Sequence, residues 1–284
     1  MRDIYFSTFM AVLFFGVLLG YAARSLLSGR LRNARAESDG GSVFLGKSAI
    51  EAVYWFLNPI VAFLAGIGVT PNMITLFSLV PAAAAAVALA YGWFGLACLL
   101  ATVGSLCDTI DGPLARKLGV GSDAGEVVDA TVDRYVEFLF LGGLAVYYRS
   151  HWIVLILVLG AIVGAFMVSY ATAKAEAMDV EPPRGAMRRA ERCVYLLVAS
   201  GLTGFSKVIF ADSPSHALRE LPIILAITIV AVVANVSTVQ RMIAVAASLR
   251  GREPGAKGPG GPGAATVDPE EGIITKQDNP IGLA

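Results

Sequence analysis

Long apolar stretches alternate with short polar connections along most of this chain. A helix needs about 20 apolar residues to cross the hydrocarbon layer of a membrane. The pattern therefore predicts an all-α fold, a polytopic membrane protein with a core of membrane-spanning helices. We predict six spans after Pro71, at residues 72–91, 95–110, 126–147, 152–174, 191–210 and 218–245.

A further apolar run, from Ile4 to Leu27, precedes this core and is long enough to form one extra N-terminal transmembrane helix. Arg2 is the only basic residue before the run, whereas four arginines lie at its end or just after it, within residues 24–35. Because basic residues stay in the cytoplasm, we predict that residues 1–35 form an anchor whose N-terminus lies outside. A cleaved signal peptide is the alternative, and this charge distribution disfavours it.

The segment Ser48–Val69 differs from a regular span. Glu51, Asn58 and Pro59 interrupt its apolar residues, and it carries the aromatic pair Tyr54–Trp55. This composition favours an amphipathic helix that lies in the membrane interface, with a kinked span as the alternative.

Polar stretches frame the predicted catalytic domain, which spans residues 48–250. We predict a linker at 36–47 and a cytoplasmic tail at 251–284. Residues 251–264 contain six glycines and three prolines, and the remainder of the tail is polar. Such a segment cannot bury a core, so the tail is predicted to be disordered.

Basic residues are concentrated in alternate connections between the spans. The regions at 116–117, 184–192 and 241–252 carry arginine or lysine, whereas the intervening connections are poor in charge. The positive-inside rule places these three regions on the cytoplasmic face. We expect a multi-pass integral membrane protein, in the plasma membrane if the cell is bacterial.

Composition agrees with the membrane assignment and narrows the chemistry. Hydrophobic residues make up 56% of the 284 residues, charged residues 15%, and the mean hydropathy is +0.68. These values exclude an ordinary soluble domain. The formal net charge of zero argues neither for nor against nucleic acid, and no nucleic-acid partner is predicted. Cys98, Cys107 and Cys193 lie in or beside apolar segments, so they are predicted to be buried thiols and not disulfides or zinc ligands.

Four aspartates stand where apolar segments end and begin. Asp108 and Asp111 lie one helical turn apart, as do Asp129 and Asp133 on the following helix. Carboxylates at membrane depth are costly and usually functional. One or two Mg²⁺ or Mn²⁺ ions would supply the missing positive charge, because these hard cations prefer oxygen ligands.

Neighbouring residues suit a phosphate ligand. Gly112 and Gly125 permit a close approach of backbone or phosphate, and Arg116 offers a planar pair of donors. The two histidines, His151 and His216, fall in predicted loops away from the aspartates, so no histidine base or ligand is expected. Carboxylates, glycines and arginine together indicate metal-assisted phosphoryl transfer on the cytoplasmic face.

The stretch 108–133 fits, without a gap, the pattern D-x-x-D-G-x-x-A-R, eight residues, G-x-x-x-D-x-x-x-D. It resembles the signature of the CDP-alcohol phosphotransferase (CDP-alcohol phosphatidyltransferase) family. The segment Thr70–Thr75 is similar to the P-N-x-x-T that opens the family domain. The resemblance covers about residues 48–246 and implies a six-helix core with an interfacial helix before it. All eight fixed residues match: Asp108, Asp111, Gly112, Ala115, Arg116, Gly125, Asp129 and Asp133.

The resemblance also implies a mechanism. A two-metal centre of Mg²⁺ or Mn²⁺ would bind the pyrophosphate of CDP-diacylglycerol, an acceptor hydroxyl would attack the lipid-side phosphorus, and CMP would leave. Asp133 would be the catalytic general base. The implied partners are CDP-diacylglycerol, a small alcohol acceptor, membrane lipid and a second copy of the chain in a homodimer. The implied metal ligands are Asp108, Asp111, Asp129 and Asp133, and the implied CDP-binding residues are Asp108, Gly112, Ala115, Arg116 and Gly125.

The acceptor is suggested by residues 169–192, which resemble a stretch of the phosphatidylinositol-phosphate synthase branch. The pair Gln240–Arg241, near the end of the last span, also resembles the sequences of that branch. The resemblance implies a small phosphorylated alcohol, such as inositol 1-phosphate or glycerol 3-phosphate. Thr172, however, stands where that branch has a basic residue, and Ala190 where it has proline. The implied acceptor-binding residues are Ser169, Lys174, Arg189 and Arg192.

Three other functions are alternatives. A CDP-choline or CDP-ethanolamine phosphotransferase would use a lipid alcohol as acceptor, and the basic cluster at 184–192 disfavours it. A divalent-cation transporter would carry acids near the middle of several spans, whereas these acids cluster at the ends of two. A non-catalytic membrane scaffold would have no need of the complete aspartate motif.

Overall fold

The computed structural model describes residues 2–28, 47–180 and 186–250, and within these ranges every regular element is a helix. The all-α prediction is confirmed. The predicted tail, most of the predicted linker and Arg184 lie outside the described residues. The helices are α1 (Arg2–Ser28), α2 (Lys47–Gly66), α3 (Pro71–Phe77), α4 (Leu79–Ala90), α5 (Phe94–Leu118), α6 (Asp123–Tyr147), α7 (Trp152–Glu176), α8 (Arg189–Ile209), α9 (His216–Arg219) and α10 (Leu221–Arg250).

Length and hydropathy identify seven candidate membrane spans among the described residues, and the protein is an integral membrane protein. The α3 and α4 helices form one of them together, at Pro71–Ala90, and α6 is not among the seven. The α6 helix does not qualify as a span because its first half carries several acidic residues. The α2 helix does qualify by composition, so its predicted interfacial position stays a prediction.

The helix ends near the aspartates are defined by local signals. Gly119 ends α5 in the left-handed conformation, at φ 67°, which glycine adopts without strain. Ser122 then begins α6, and its side chain accepts a hydrogen bond from the backbone N–H of Gly125 at 3.1 Å. This short turn holds the end of α5 beside the start of α6, so the two aspartate pairs face each other.

The core is built from closely packed helices. The α7 helix packs along α10, α4 packs against α5 and α6, and α8 packs against α5 and α10. Small residues permit two of the closest approaches, as expected for helices in lipid. A Cβ atom on Gly143 would lie 2.5 Å from the carbonyl oxygen of Ala86, and one on Gly164 would lie 2.7 Å from Nδ2 of Asn235.

Gly143→Ala tests the contact between α4 and α6. The added methyl group would meet the backbone of Ala86, which cannot move aside as a flexible side chain can. We expect the free energy of unfolding to fall by about 1–3 kcal/mol, measured by denaturant unfolding in detergent. Gly142→Ala is the matched control, because the nearest atom to its added Cβ is a ring carbon of Phe138 at 4.0 Å. Equal stability of the two variants would contradict this prediction.

Candidate active site

Three aspartates converge between α5 and α6. Carboxylate oxygens of Asp108, Asp111 and Asp129 all lie within 4.8 Å of one another. Asp111 is buried, and the other two are half-buried. Two like charges about 4 Å apart repel by about 4 kcal/mol at an effective dielectric of 20, so the cluster requires positive charge nearby.

Asp133, one turn after Asp129, contacts a cation from another helix. Its Oδ1 lies 2.5 Å from Nη2 of Arg189, the first residue of α8. The same guanidinium also donates to both carboxylate oxygens of Asp108, at 3.1 and 3.2 Å. Arg189 therefore joins the two aspartate helices, and it supplies one positive charge against four carboxylates.

The metal predicted from the sequence fits the first three aspartates. Their donor atoms are all carboxylate oxygens, which is the ligand type that Mg²⁺ and Mn²⁺ prefer. The Oδ1 atom of Asp129 is buried and has no hydrogen-bond partner within the described part of the chain. A buried carboxylate oxygen without a partner is costly, and a bound cation would satisfy it. Asp133 is not among the three clustered aspartates, and its predicted roles as metal ligand and general base stay predictions.

Thr75 is a site residue that the sequence analysis did not single out. It lies on α3, is 4% exposed, and its hydroxyl donates to Oδ2 of Asp111 at 2.7 Å. This hydrogen bond orients one of the three clustered carboxylates. The available signal was the P-N-x-x-T segment, whose last residue is Thr75.

The predicted CDP-binding residues lie along the end of α5 and the start of α6. Gly112 and Ala115 are half-buried, and Arg116 is exposed in the last turn of α5. A Cβ atom on Gly125 would lie 3.5 Å from Oδ1 of Asn72, so the start of α6 also meets the start of α3. These residues are adjacent to the aspartates, and their part in binding CDP stays a prediction.

The predicted acceptor-binding residues divide into different environments. Arg189 reaches the aspartates, as described above. Lys174 is exposed near the end of α7, whereas the Ser169 hydroxyl donates to the carbonyl of Ala165 within the same helix at 3.2 Å. Of these three, Arg189 is the one that the structure brings into contact with the aspartates.

Arg192 is a core residue here, contrary to the prediction that it binds the acceptor. Its side chain is 0% exposed and donates to both carboxylate oxygens of Glu137, at 2.6 and 2.9 Å. It also donates to the carbonyl oxygen of Met187 at 2.6 Å. The guanidinium is enclosed by these partners, so it is not available to a soluble alcohol.

Thr172 has a partner that the sequence analysis did not connect with it. Its hydroxyl oxygen accepts a hydrogen bond from Nη1 of Arg241 at 2.7 Å. An arginine from α10 thus contacts position 172, where the related branch has a basic residue. Arg241 is itself 6% exposed.

Comparison with known proteins matches this chain to one enzyme family. The family model for CDP-alcohol phosphatidyltransferases matches residues 68–248, which is more than half of the chain. The chain belongs to the CDP-alcohol phosphatidyltransferase family. The match begins just before α3 and ends in α10, so α1 and α2 lie outside the matched region. Membership in this family supports the transferase prediction over the cation-transporter alternative.

Several relatives of this chain carry the name phosphatidylinositol phosphate synthase. The phosphatidylinositol phosphate synthase of Cutibacterium acnes is 32% identical over 195 residues, which is 66% of this chain and 91% of that protein. The crystal structure of the Mycobacterium tuberculosis phosphatidylinositol phosphate synthase with CDP-DAG bound is 26% identical. The structural match has a TM-score of 0.57 and spans 66% of this chain and 92% of the Mycobacterium tuberculosis chain. The same enzyme in complex with manganese and citrate is 27% identical, with a TM-score of 0.58, and covers 66% of this chain and 87% of that one.

Proposed function

We propose that this enzyme transfers a phosphatidyl group from CDP-diacylglycerol to the hydroxyl of a small phosphorylated alcohol and releases CMP, in phospholipid biosynthesis. The observation that carries the proposal is the cluster of Asp108, Asp111 and Asp129, with Asp133 and Arg189 directly beside it. A relative that is 32% identical over 195 residues carries the name phosphatidylinositol phosphate synthase, and a solved relative has CDP-DAG bound.

Asp108, Asp111 and Asp129, together with Asp133, would hold the two divalent cations, Mg²⁺ or Mn²⁺. When bound, the metal would offset the charge that develops on the pyrophosphate of the donor. Thr75 fixes the orientation of Asp111 through its hydrogen bond. The Arg116 guanidinium, exposed at the end of α5, would reach the phosphates of the CDP group.

Asp133 would take the proton from the acceptor hydroxyl. The alcohol oxygen then forms a bond to the lipid-side phosphorus, the phosphorus–oxygen bond of the pyrophosphate breaks, and CMP leaves with that bonding pair. The proton ends on a carboxylate oxygen of Asp133. Contact with Arg189 at 2.5 Å holds this carboxylate in place within the site.

The acceptor would carry a phosphate of its own, as inositol 1-phosphate and glycerol 3-phosphate do. Arg189 contacts Asp133 and would also bind the anionic acceptor, and Lys174 is exposed near the end of α7. Thr172 would provide a hydroxyl, which is oriented by its hydrogen bond from Arg241. Arg192 is omitted from this set because it is enclosed in the core.

Three further properties belong to the proposal. The aspartate site would face the cytoplasm, because the basic connections lie at its end of the helices. The α2 helix would lie in the membrane interface, and the enzyme would work as a homodimer within the lipid bilayer.

Release of CMP by the purified enzyme in detergent with CDP-diacylglycerol tests the proposal. We expect release only with Mg²⁺ or Mn²⁺ and an alcohol, and EDTA should abolish it. In a panel of inositol 1-phosphate, glycerol 3-phosphate, inositol, serine and glycerol, the two phosphorylated alcohols are expected to give the highest kcat/KM. A preference for an unphosphorylated alcohol would refute the anionic acceptor. Activity only with CDP-choline and diacylglycerol would refute the proposed donor.

A further inference from the structure

The N-terminal helix α1 is seated in a notch on the catalytic core. The notch is formed where Gly95 of α5 meets Gly204 of α8, and the Ser7 side chain fills it. A Cβ atom on Gly95 would lie 2.6 Å from Oγ of Ser7, and one on Gly204 would lie 3.2 Å from Cβ of Ser7. Ser7 itself is 1% exposed, so α1 packs here without a gap.

Asp3 adds a polar contact at the same end. Its Oδ1 accepts a hydrogen bond from the backbone N–H of Leu96 at 3.0 Å. Leu96 is the third residue of α5, and Trp93 at the start of that helix makes no side-chain capping bond. A carboxylate on α1 therefore caps α5, where an acceptor and a negative charge are both favourable.

At its other end α1 contacts α2. The hydroxyl of Tyr21 donates to Oε2 of Glu51 at 2.7 Å, and the ring of Tyr21 lies 6.2 Å from that of Trp55. A Cβ atom on Gly20 would lie 3.5 Å from the Trp55 ring. The α1 helix thus joins α2 to the same core on which it is seated.

The α2 helix in turn packs against the part of α5 that carries Asp111. Leu57 and Val61 of α2 form one apolar cluster with Ile110 and Leu114 of α5. Ile110 directly precedes Asp111 in the chain. Ile74 packs against the same cluster and directly precedes Thr75, the donor to Asp111.

We propose that Tyr21 and Glu51 are positioning residues, through which α1 holds α2 against α5 and so keeps Asp111 and Thr75 in the geometry that binds the divalent cation. This proposal rests on the proposed metal site. It assigns a role in the active site to a helix that lies outside the family region.

Tyr21→Phe removes only the hydroxyl and is the main test. We expect the Kd for Mn²⁺, titrated by electron paramagnetic resonance on the full chain, to rise about threefold to tenfold. Glu51→Gln keeps an oxygen that accepts from Tyr21, so its Kd is expected to stay near that of the wild type. Tyr5→Phe is the matched control on the same helix, because the Tyr5 side chain is 72% exposed.

Gly204→Ala disturbs the other end of α1 and should raise the Kd in the same direction. Gly16→Ala, a glycine of α1 with nothing within 4 Å of the added Cβ, should not. Because both Tyr21→Phe and Gly204→Ala act through α1, their combined effect is expected to be smaller than the product of the two changes.

Fluorescence of Trp55 gives a second readout that does not depend on metal. The chain has three tryptophans, so Trp93→Phe and Trp152→Phe leave Trp55 as the reporter. Tyr21→Phe is expected to shift its emission and increase its quenching by acrylamide, whereas Tyr5→Phe should leave both unchanged.

An unchanged Mn²⁺ affinity in Tyr21→Phe would overturn the inference, whether or not Trp55 responds. If Asp111→Asn still loses Mn²⁺ binding in that case, the proposed function stands. If Asp111→Asn binds Mn²⁺ as the wild type does, the metal site is wrong and this inference fails with it.

Discussion

Asp133→Asn is expected to lower the rate of CMP release by about a thousandfold, because an amide cannot accept the proton of the acceptor hydroxyl. Asparagine has nearly the same shape as aspartate, so the packing of α6 should be preserved. The variant keeps Asp108, Asp111 and Asp129, whose oxygens form the cluster within 4.8 Å. We therefore expect Mn²⁺ affinity to fall much less than in Asp111→Asn.

The measurement is the single-turnover rate of CMP release at saturating metal, donor and acceptor. Asp123→Asn is the matched control, since Asp123 is an exposed aspartate in the first turn of the same helix. A loss of Mn²⁺ binding in Asp133→Asn equal to that in Asp111→Asn would assign Asp133 to the metal instead. Wild-type turnover in Asp133→Asn would exclude it as the base.

Arg192→Met is expected to have the largest effect on stability. It removes one partner of a buried ion pair and leaves the Glu137 carboxylate enclosed without its counter-charge. Breaking such a pair costs about 3–5 kcal/mol. The variant also removes the donor to Met187, a buried residue held at φ 63°, which is an unfavourable conformation for a non-glycine residue.

The free energy of unfolding in detergent is the quantity to measure. The double variant Arg192→Met with Glu137→Leu should recover much of the loss, because no unpaired charge then remains. Arg188→Met is the matched control, since Arg188 is exposed at the start of the same helix. Two results would contradict a buried ion pair: an Arg192→Met variant as stable as Arg188→Met, or no recovery in the double variant.

The sequence predicted the parts of the site that depend on local spacing. The turn-related pairs Asp108–Asp111 and Asp129–Asp133 were visible because a helix repeats every few residues, and Gly119 and Ser122 end and begin helices by local rules. The all-α fold likewise follows from apolar segments of the right length.

Contacts between distant segments were not predictable in this way. Arg192 and Glu137 are 55 residues apart, and Thr75 and Asp111 are 36 apart. An arginine at the end of a predicted span has the same appearance whether it anchors the chain at the membrane surface or pairs with a buried acid. Only the packing of α8 against α5 shows that Arg189 faces the aspartates, while Arg192, about one turn later, points into the core.

The acidic first half of α6 has a consequence for the order in which the protein is assembled. Acidic side chains raise the free energy of inserting a helix into a membrane. Arg189, which balances Asp108 and Asp133, lies 81 residues after Asp108, so it is synthesised well after α5 and α6. Both aspartate helices are therefore made before the arginine that joins them, and Arg134 of α6, 3.8 Å from Asp133, is the cation already present. Formation of the site is completed by a later step, when α8 docks and brings Arg189 into contact with Asp108 and Asp133.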